Sequence, residues 1–323
     1  MTAQKNARSI LGYGLGGFWL LDGLLQLQPK MFSADLVTAV MQPNAWHQPQ
    51  WVTHSIDWML NLILTHQVAW FNWFIAALQI FIGLLLLTGL GKKSGRIGLW
   101  LSIGWGSLVW YFGEGLGSLF TGQATYLTGS PGSVLLYVII AGFLVASRHA
   151  QTATLALRSW RYIVVLLWVV GALLQCFPAF WSRPGLSVQF YGAAVMTPKF
   201  WITKPIYTMA RQSLLHPSLW NLAFVLAMLS MAWGIWRQWG AWFYGWSTLW
   251  LLFIFWIGEN LGMAFSGIST DLNTAPLWAL MMVPLYLETQ AHTIRARRAG
   301  LRVPIQLATT SQGVDIDHPR RGT

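Results

Sequence analysis

From Gly113 the chain reads Gly-Glu-Gly-Leu-Gly-Ser-Leu-Phe-Thr-Gly-Gln-Ala-Thr-Tyr-Leu-Thr-Gly-Ser-Pro, ending at Pro131. From Gly258 it reads Gly-Glu-Asn-Leu-Gly-Met-Ala-Phe-Ser-Gly-Ile-Ser-Thr-Asp-Leu-Asn-Thr-Ala-Pro, ending at Pro276. At a constant offset of 145 (259 − 114) the two stretches share Gly, Glu, Leu, Gly, Phe, Gly, Thr, Leu and Pro in the same order. Each follows a Trp-rich apolar run and precedes another. Glu114 and Glu259 therefore stand at the ends of two apolar segments, and an acid in that position is a candidate functional group.

The composition decides the solvent. Of 323 residues, 55% are hydrophobic, only 9% are charged, and 22 are Trp. A soluble chain of this size needs far more charge to cover its surface. Long apolar stretches can cross a hydrocarbon core of about 30 Å at about 1.5 Å per residue. The sequence predicts an all-α polytopic membrane protein with about eight spans, roughly 10–28, 66–90, 97–120, 132–148, 161–180, 217–236, 241–266 and 276–292.

The formal net charge of +11 is distributed as a topology signal. Lys5, Arg8, Lys92, Lys93, Arg96, Arg148, Arg158, Arg161, Arg237, Arg295, Arg297, Arg298 and Arg302 fall in one alternate set of loops. The opposite set holds only Lys30, Arg183, Lys199, Lys204 and Arg211. The positive-inside rule then predicts a plasma-membrane protein with both termini cytoplasmic. The basic residues attract anionic headgroups of the bilayer, and no nucleic-acid footprint is implied. The single cysteine, Cys176, excludes an intrachain disulfide, a Cys-based metal site and a thiol pair.

The duplication extends beyond the glutamates. Pro29 after Leu24-Leu25-Gln26-Leu27-Gln28 answers Pro178 after Leu173-Leu174-Gln175-Cys176-Phe177. Ala39-Val40-Met41-Gln42-Pro43 answers Ala194-Val195-Met196-Thr197-Pro198, and Trp46 falls opposite Trp201 at the same offset of 155 (201 − 46). His66 answers His216, each at the start of its half's second span. Four spans per half give both halves one orientation, so the prediction is a parallel repeat of two fused four-helix bundles. The units are 1–150 and 151–302, followed by a polar tail over 303–323 expected to be disordered.

Arg8-Ser9-Ile10-Leu11-Gly12 with Phe18-Trp19-Leu20-Leu21-Asp22-Gly23 resembles the opening of DoxX-like membrane proteins. Ala76-Ala77-Leu78-Gln79-Ile80-Phe81-Ile82-Gly83-Leu84 through Thr88-Gly89-Leu90 is similar to that family's second helix. The family is a four-helix unit, so the chain resembles two such units fused. Some members are quinone-linked subunits in thiosulfate oxidation. The resemblance thus implies membrane redox work, a quinone as cofactor and other membrane or redox subunits as partners, without assigning catalytic residues.

Distance along the helices places the acids. Glu114 lies about 18 residues after Arg96, roughly 27 Å of helix, and Asp22 about 14 residues after Arg8, roughly 21 Å. Glu259 lies about 22 residues after Arg237. All three acids are therefore expected in the outer half, facing a cavity between the two units. The alternative for both glutamates is that each hydrogen-bonds the unwound backbone of its own loop.

Asp22 has no acid partner in the second half, where Gly171 falls opposite by the proline anchor, so one active and one supporting half is expected. The Gly113/Gly117 and Gly258/Gly262 pairs have the spacing that lets helices approach closely. Ser130-Pro131 reads as an N-cap with Pro at the first helical position.

His66, His216, Trp46 and Trp201 are candidate ligand-binding residues at the outer interface, with helix capping and interfacial anchoring as their ordinary roles. His47, His54, Asp57 and Met41 match no metal-ligand spacing, so no metal site is expected. The leading function is an integral subunit of a redox or respiratory assembly that interacts with quinone, in its enzymatic form a non-haem subunit of a quinone-linked oxidoreductase. The alternatives are a proton- or ion-coupled transporter of a small solute, and a structural or assembly protein.

Overall fold

The computed structural model describes residues 2–147 and 153–298, and the expectation for the 303–323 tail lies outside the described residues, as do Arg148 and Arg302. Among the described residues the chain is all-helical, with no strand. The first half holds α1 (Thr2–Leu25), α2 (Gln50–Thr65), α3 (Val68–Gly89), α4 (Lys93–Leu108) and α5 (Ser133–Ala146). The second holds α6 (Ala153–Gln175), α7 (Gly185–Val195), α8 (Phe200–Leu215), α9 (Pro217–Trp236), α10 (Ala241–Phe253) and α11 (Ala275–Arg298). Among the described residues, four segments are long and apolar enough to cross a membrane: Val68–Gly89, Leu157–Gln175, Pro217–Trp236 and Ala241–Gly258.

The remaining expected spans differ from these for physical reasons. The start of α1 carries Lys5 and Arg8, and the end of α11 carries Glu288 and a run of arginines. The α4 helix ends after 16 residues and α5 has only 14, about 21 Å of rise. Both meet at the unwound segment after Glu114, which occupies the depth that a longer helix would have filled.

Glycine brings α1 and α3 together. A Cβ at Gly83 would stand 2.7 Å from the Leu20 amide nitrogen and 2.9 Å from the Gly16 carbonyl oxygen. That is backbone against backbone, the approach small residues permit between apolar helices. Gly83→Ala is expected to destabilise the protein by about 1–3 kcal/mol, the usual cost of overpacking. Denaturant titration in mixed micelles measures it, and an unchanged midpoint would show that the helices separate freely.

The long connections contain helices that lie beside the bundle. The stretch Trp51–Leu64 falls within α2, with Val52, Ile56, Leu60 and Ile63 buried on one face and Trp51, Trp58 and Leu62 exposed on the other. The buried face packs with Val37, Met41, Ala45 and Leu116 as a small separate core. The larger core runs through both halves and includes Trp19, Trp160, Trp168 and Trp278, all fully buried.

Two local expectations are corrected. The helix α5 starts at Ser133 after Gly132, not at Pro131. Ser130 instead donates its hydroxyl to the Gly117 carbonyl at 2.9 Å. Gly117 and Gly262 are not helical surface positions either. They take left-handed φ of 61° and 64° in tight turns, where a Cβ would run into the Pro131 carbonyl and the Leu272 backbone respectively.

Candidate functional site

The two glutamates share one backbone. A wide helical turn, Val109–Gly113 in one half and Ile254–Gly258 in the other, precedes each. Glu114 has φ −106° and ψ 3°, and Glu259 has φ −102° and ψ 3°. Leu116 and Leu261 then adopt left-handed φ of 55° and 54°. Two leucines at positive φ are uncommon and costly, so the surroundings must hold these turns. The side-chain amide of Asn44 donates to the Gly113 carbonyl at 2.7 Å and that of Gln48 to the Gly115 carbonyl at 2.5 Å. Asn260 does the corresponding work in the second half, donating to the Ala193 carbonyl at 2.7 Å and to Thr197 Oγ1 at 2.8 Å.

Each carboxylate is aimed at the first turn of the next helix, whose N–H groups have no intrahelical acceptor. Glu114 Oε1 accepts from Ser133 Oγ at 2.7 Å and from the Val134 amide at 3.2 Å. Glu259 Oε1 accepts from Thr274 Oγ1 at 2.5 Å and from the Thr274 amide at 2.9 Å, while Oε2 accepts from the Ala275 amide at 3.1 Å. The hydrogen-bond partner is thus the following helix, a role that sequence reading assigned only to the loop. Both glutamates cap the helix that follows, and Glu114 also lines a cavity.

Glu114 lines a cavity of about 160 Å³ together with Asp22 and Asp271. Asp22 is 2% exposed and accepts from the Tyr137 hydroxyl at 2.7 Å through Oδ2. Its other oxygen, Oδ1, has no partner, and neither do Gln26 Oε1, Gln79 Oε1 and Trp105 Nε1, all on residues of the same lining. Met41, Met59, Phe71, Ile75 and Phe112 complete the wall. Among the described residues, no lysine, arginine or histidine belongs to this lining. Asp271 comes from the loop before α11, where burial pushes its carboxyl above the usual carboxylate range.

The surroundings of Glu259 are filled with rings. Tyr126 lies 5.4 Å from Trp278 and 6.1 Å from Trp168, and the two indoles are 4.9 Å apart. A Cβ at Gly171 would stand 2.6 Å from the Tyr126 ring, so the tyrosine occupies the space that a side chain there would need. The polar neighbours are also used up. Gln175 accepts from Thr125 Oγ1 at 2.6 Å and donates to Asn221 Oδ1 at 2.7 Å. The unpartnered polar atoms here are Asn260 Oδ1, the Tyr126 hydroxyl and the indole nitrogens of Trp168 and Trp278, the last three belonging to the ring stack.

The difference follows from a few exchanged residues on matching frames. Asn72 donates to the Gln26 carbonyl at 2.7 Å, and Asn221 donates to the Gln175 carbonyl at 3.1 Å. Both pairs stand at an offset of 149 (175 − 26 and 221 − 72). On that offset Asp22 meets Gly171, and on the glutamate offset of 145 Tyr126 meets Asp271. The first site therefore has an acid twice, Asp22 from its own half and Asp271 from the other half's loop, where the second site has Gly171 and the Tyr126 ring. Asp271 is one of ten differences between the two 19-residue stretches, marked only by being the one acid among them. Gln26, Gln79 and Trp105 carried no comparable sequence signal.

Of the sequence-selected residues, the structure brings Asp22 and Glu114 together and sets Glu259 apart. His66 and His216 follow the last turns of α2 and α8, exposed, with their backbone N–H groups bonded to Leu62 and Gln212. Trp46 and Trp201 are each 62% exposed. None of these four lines the acid cavity.

Comparison with known proteins adds no relative. No family model matches the chain, no curated protein matches it, and no solved structure matches its fold.

Proposed function

We propose that the chain is an integral plasma-membrane subunit of a redox assembly that binds a quinone or quinol ring in the acid cavity of its first half. In this reading α1, α3, α4, α5, α6, α9, α10 and α11 are eight spans in two parallel units, with both termini cytoplasmic. The acids lie at the opposite ends of α1 and α4 from Arg8, Lys92 and Lys93, which supports an outer-leaflet site. Irregular backbone at membrane depth is tolerated where it is buried in protein or lines a cavity, as the segment after Glu114 does. The DoxX-like opening of the sequence agrees with quinone-linked work.

The observation that carries the reading is a ring-sized space with orphaned polar atoms on an apolar wall. A cavity of roughly 150 Å³ holds a benzene ring, so about 160 Å³ suits one six-membered ring. A quinone offers two acceptor oxygens, and Trp105 Nε1–H or a protonated Asp22 can donate to them. A quinol offers two donors, and Asp22 Oδ1, Gln26 Oε1 and Gln79 Oε1 can accept. The quinone couple supplies two-electron, two-proton chemistry. The chain's residues orient the ring and hold protons, since three carboxyls without a cation cannot all remain ionised in a low dielectric.

The test uses the full chain in lipid nanodiscs and a short-chain benzoquinol, with affinity read by calorimetry. Asp22→Asn is expected to weaken quinol binding by about 10–100-fold, the loss of one hydrogen bond to a charged group at roughly 1.5–3 kcal/mol. Glu259→Gln is expected to leave binding unchanged. Equal losses in both variants, or no binding by the parent protein, would defeat the proposal. In the latter case the same uncompensated acids favour proton-coupled uptake of a small solute, which flux into vesicles measures directly. Stable association with other subunits, with neither property, would favour assembly.

A further inference from the structure

The acid cavity has a polar neighbour. A second space of about 320 Å³ is lined by Asn44, Gln123, Gln189, Thr128 and Asn273 and, among the described residues, by no lysine, arginine or histidine. Glu114, Thr270 and Asp271 line both spaces and so form the partition between them. Ser133 stands beside both acids in the lining of the second space. Its hydroxyl donates to Glu114 Oε1 at 2.7 Å, and it lines that space together with Asp271. A serine hydroxyl has one proton to give and lone pairs to accept with, so it can donate to Glu114 while accepting from a protonated Asp271.

We propose that Asp271 is the port through which the acid cavity exchanges protons with the outer face, and that Ser133 is its link to Glu114. The inference rests on the outward-facing cavity of the proposed function but not on the identity of its ligand. A proton arriving from the vestibule binds the Asp271 carboxyl and passes to Ser133 Oγ. Ser133 releases its own proton to Glu114 Oε1, and rotation of the hydroxyl restores the start, so one proton moves and none is lost. The titratable groups facing this relay include Asp22 on α1 and Tyr137 on α5, bonded to each other at 2.7 Å, and Lys30, whose Nζ lies 4.0 Å from a Cβ built at Gly267 on the Asp271 loop.

Asp271 also has a local task. Its Oδ1 accepts from the Asn273 amide at 2.5 Å and its Oδ2 from Thr270 Oγ1 at 3.0 Å, an Asx turn that shapes the loop. Asparagine keeps the turn acceptor but cannot carry the proton, so Asp271→Asn separates the two roles. In the first half's loop the corresponding position is Tyr126, which makes the port a property of one site only.

The experiment is infrared spectroscopy of the protonated-carboxyl stretch during transfer of nanodisc-embedded protein from H2O to D2O, without added quinone. Glu114→Gln identifies the Glu114 band. In the parent protein that band is expected to shift promptly. In Asp271→Asn and in Ser133→Ala it is expected to shift at least about tenfold more slowly, a barrier increase of about 1.4 kcal/mol. Unchanged exchange in both variants, or no Glu114 band in the parent, overturns the proposal. If Asp271→Asn fails to show a thermal transition, Ser133→Ala decides alone.

Sidedness is checked with Asp271→Cys after exposed Cys176 is replaced by alanine. A membrane-impermeant thiol reagent should modify it from the outer side of oriented vesicles, and modification only from the cytoplasmic side overturns the assignment. Absence of quinone binding leaves the exchange result standing, so the two readings fail separately.

Discussion

Glu259→Ala is expected to destabilise the protein by about 3–5 kcal/mol, while Glu259→Gln costs about 1 kcal/mol or less. The reason is the asymmetry between removing a hydrogen bond and orphaning its partners. Glu259 is 2% exposed and satisfies the Thr274 hydroxyl, the Thr274 amide and the Ala275 amide. Alanine leaves the Thr274 hydroxyl and the Ala275 amide facing a buried gap, each at a cost of about 1–3 kcal/mol, while the Thr274 amide keeps Asn273 Oδ1 at 2.9 Å. Glutamine retains one oxygen for the helix terminus and fills the space. Denaturant titration in mixed micelles gives both values. An alanine variant as stable as the parent would mean that water reaches the start of α11, and Glu259 would lose its standing as a buried cap.

That expectation separates two residues that the sequence presents as twins. Residue type and order repeat around Glu114 and Glu259 because the turn they open repeats: a wide turn, a leucine at positive φ, then Gly117 or Gly262 against a neighbouring backbone. Such constraints are local, and local constraints are legible at a fixed offset. The helical character, the acids and the place of Asp22 opposite Gly171 were legible for the same reason.

What escaped was tertiary. Tyr126 belongs to the first half's loop yet packs on Trp168 and Trp278, and Asp271 belongs to the second half's loop yet faces Asp22. The loops cross, so the residue that distinguishes each site comes from the opposite half. No periodicity within one half records such an exchange. The glycine pairs misled for a related reason: helix-packing spacing and tight-turn spacing look alike in sequence, and only positive φ tells them apart. The α8 helix was hidden by Lys204, Pro205 and Arg211, which dilute the apolar face that Ile202, Ile206, Met209 and Ala210 bury.

Tyr126→Ala tests the consequence of that exchange most directly. Removing the ring leaves Trp168 and Trp278 without their stacking partner and opens a space beside Gly171, for an expected loss of about 3–5 kcal/mol, typical of large aromatic truncations. The Tyr126 hydroxyl has no hydrogen-bond partner, so Tyr126→Phe should be nearly neutral and isolates the ring as the cause. The stability pair is read by denaturant titration, and a small aromatic such as benzene should bind the alanine variant and recover part of the loss, as ligands that fit an engineered cavity do. Quinol binding at the acid cavity should persist, because Asp22 and Asp271 stand on other elements and Glu114 is held by Ser133 and Val134 at the start of α5. If Tyr126→Ala instead unfolds no more readily than Tyr126→Phe, the rings do not fill the second site. The asymmetry between the halves would then rest on Asp22 and Asp271 alone.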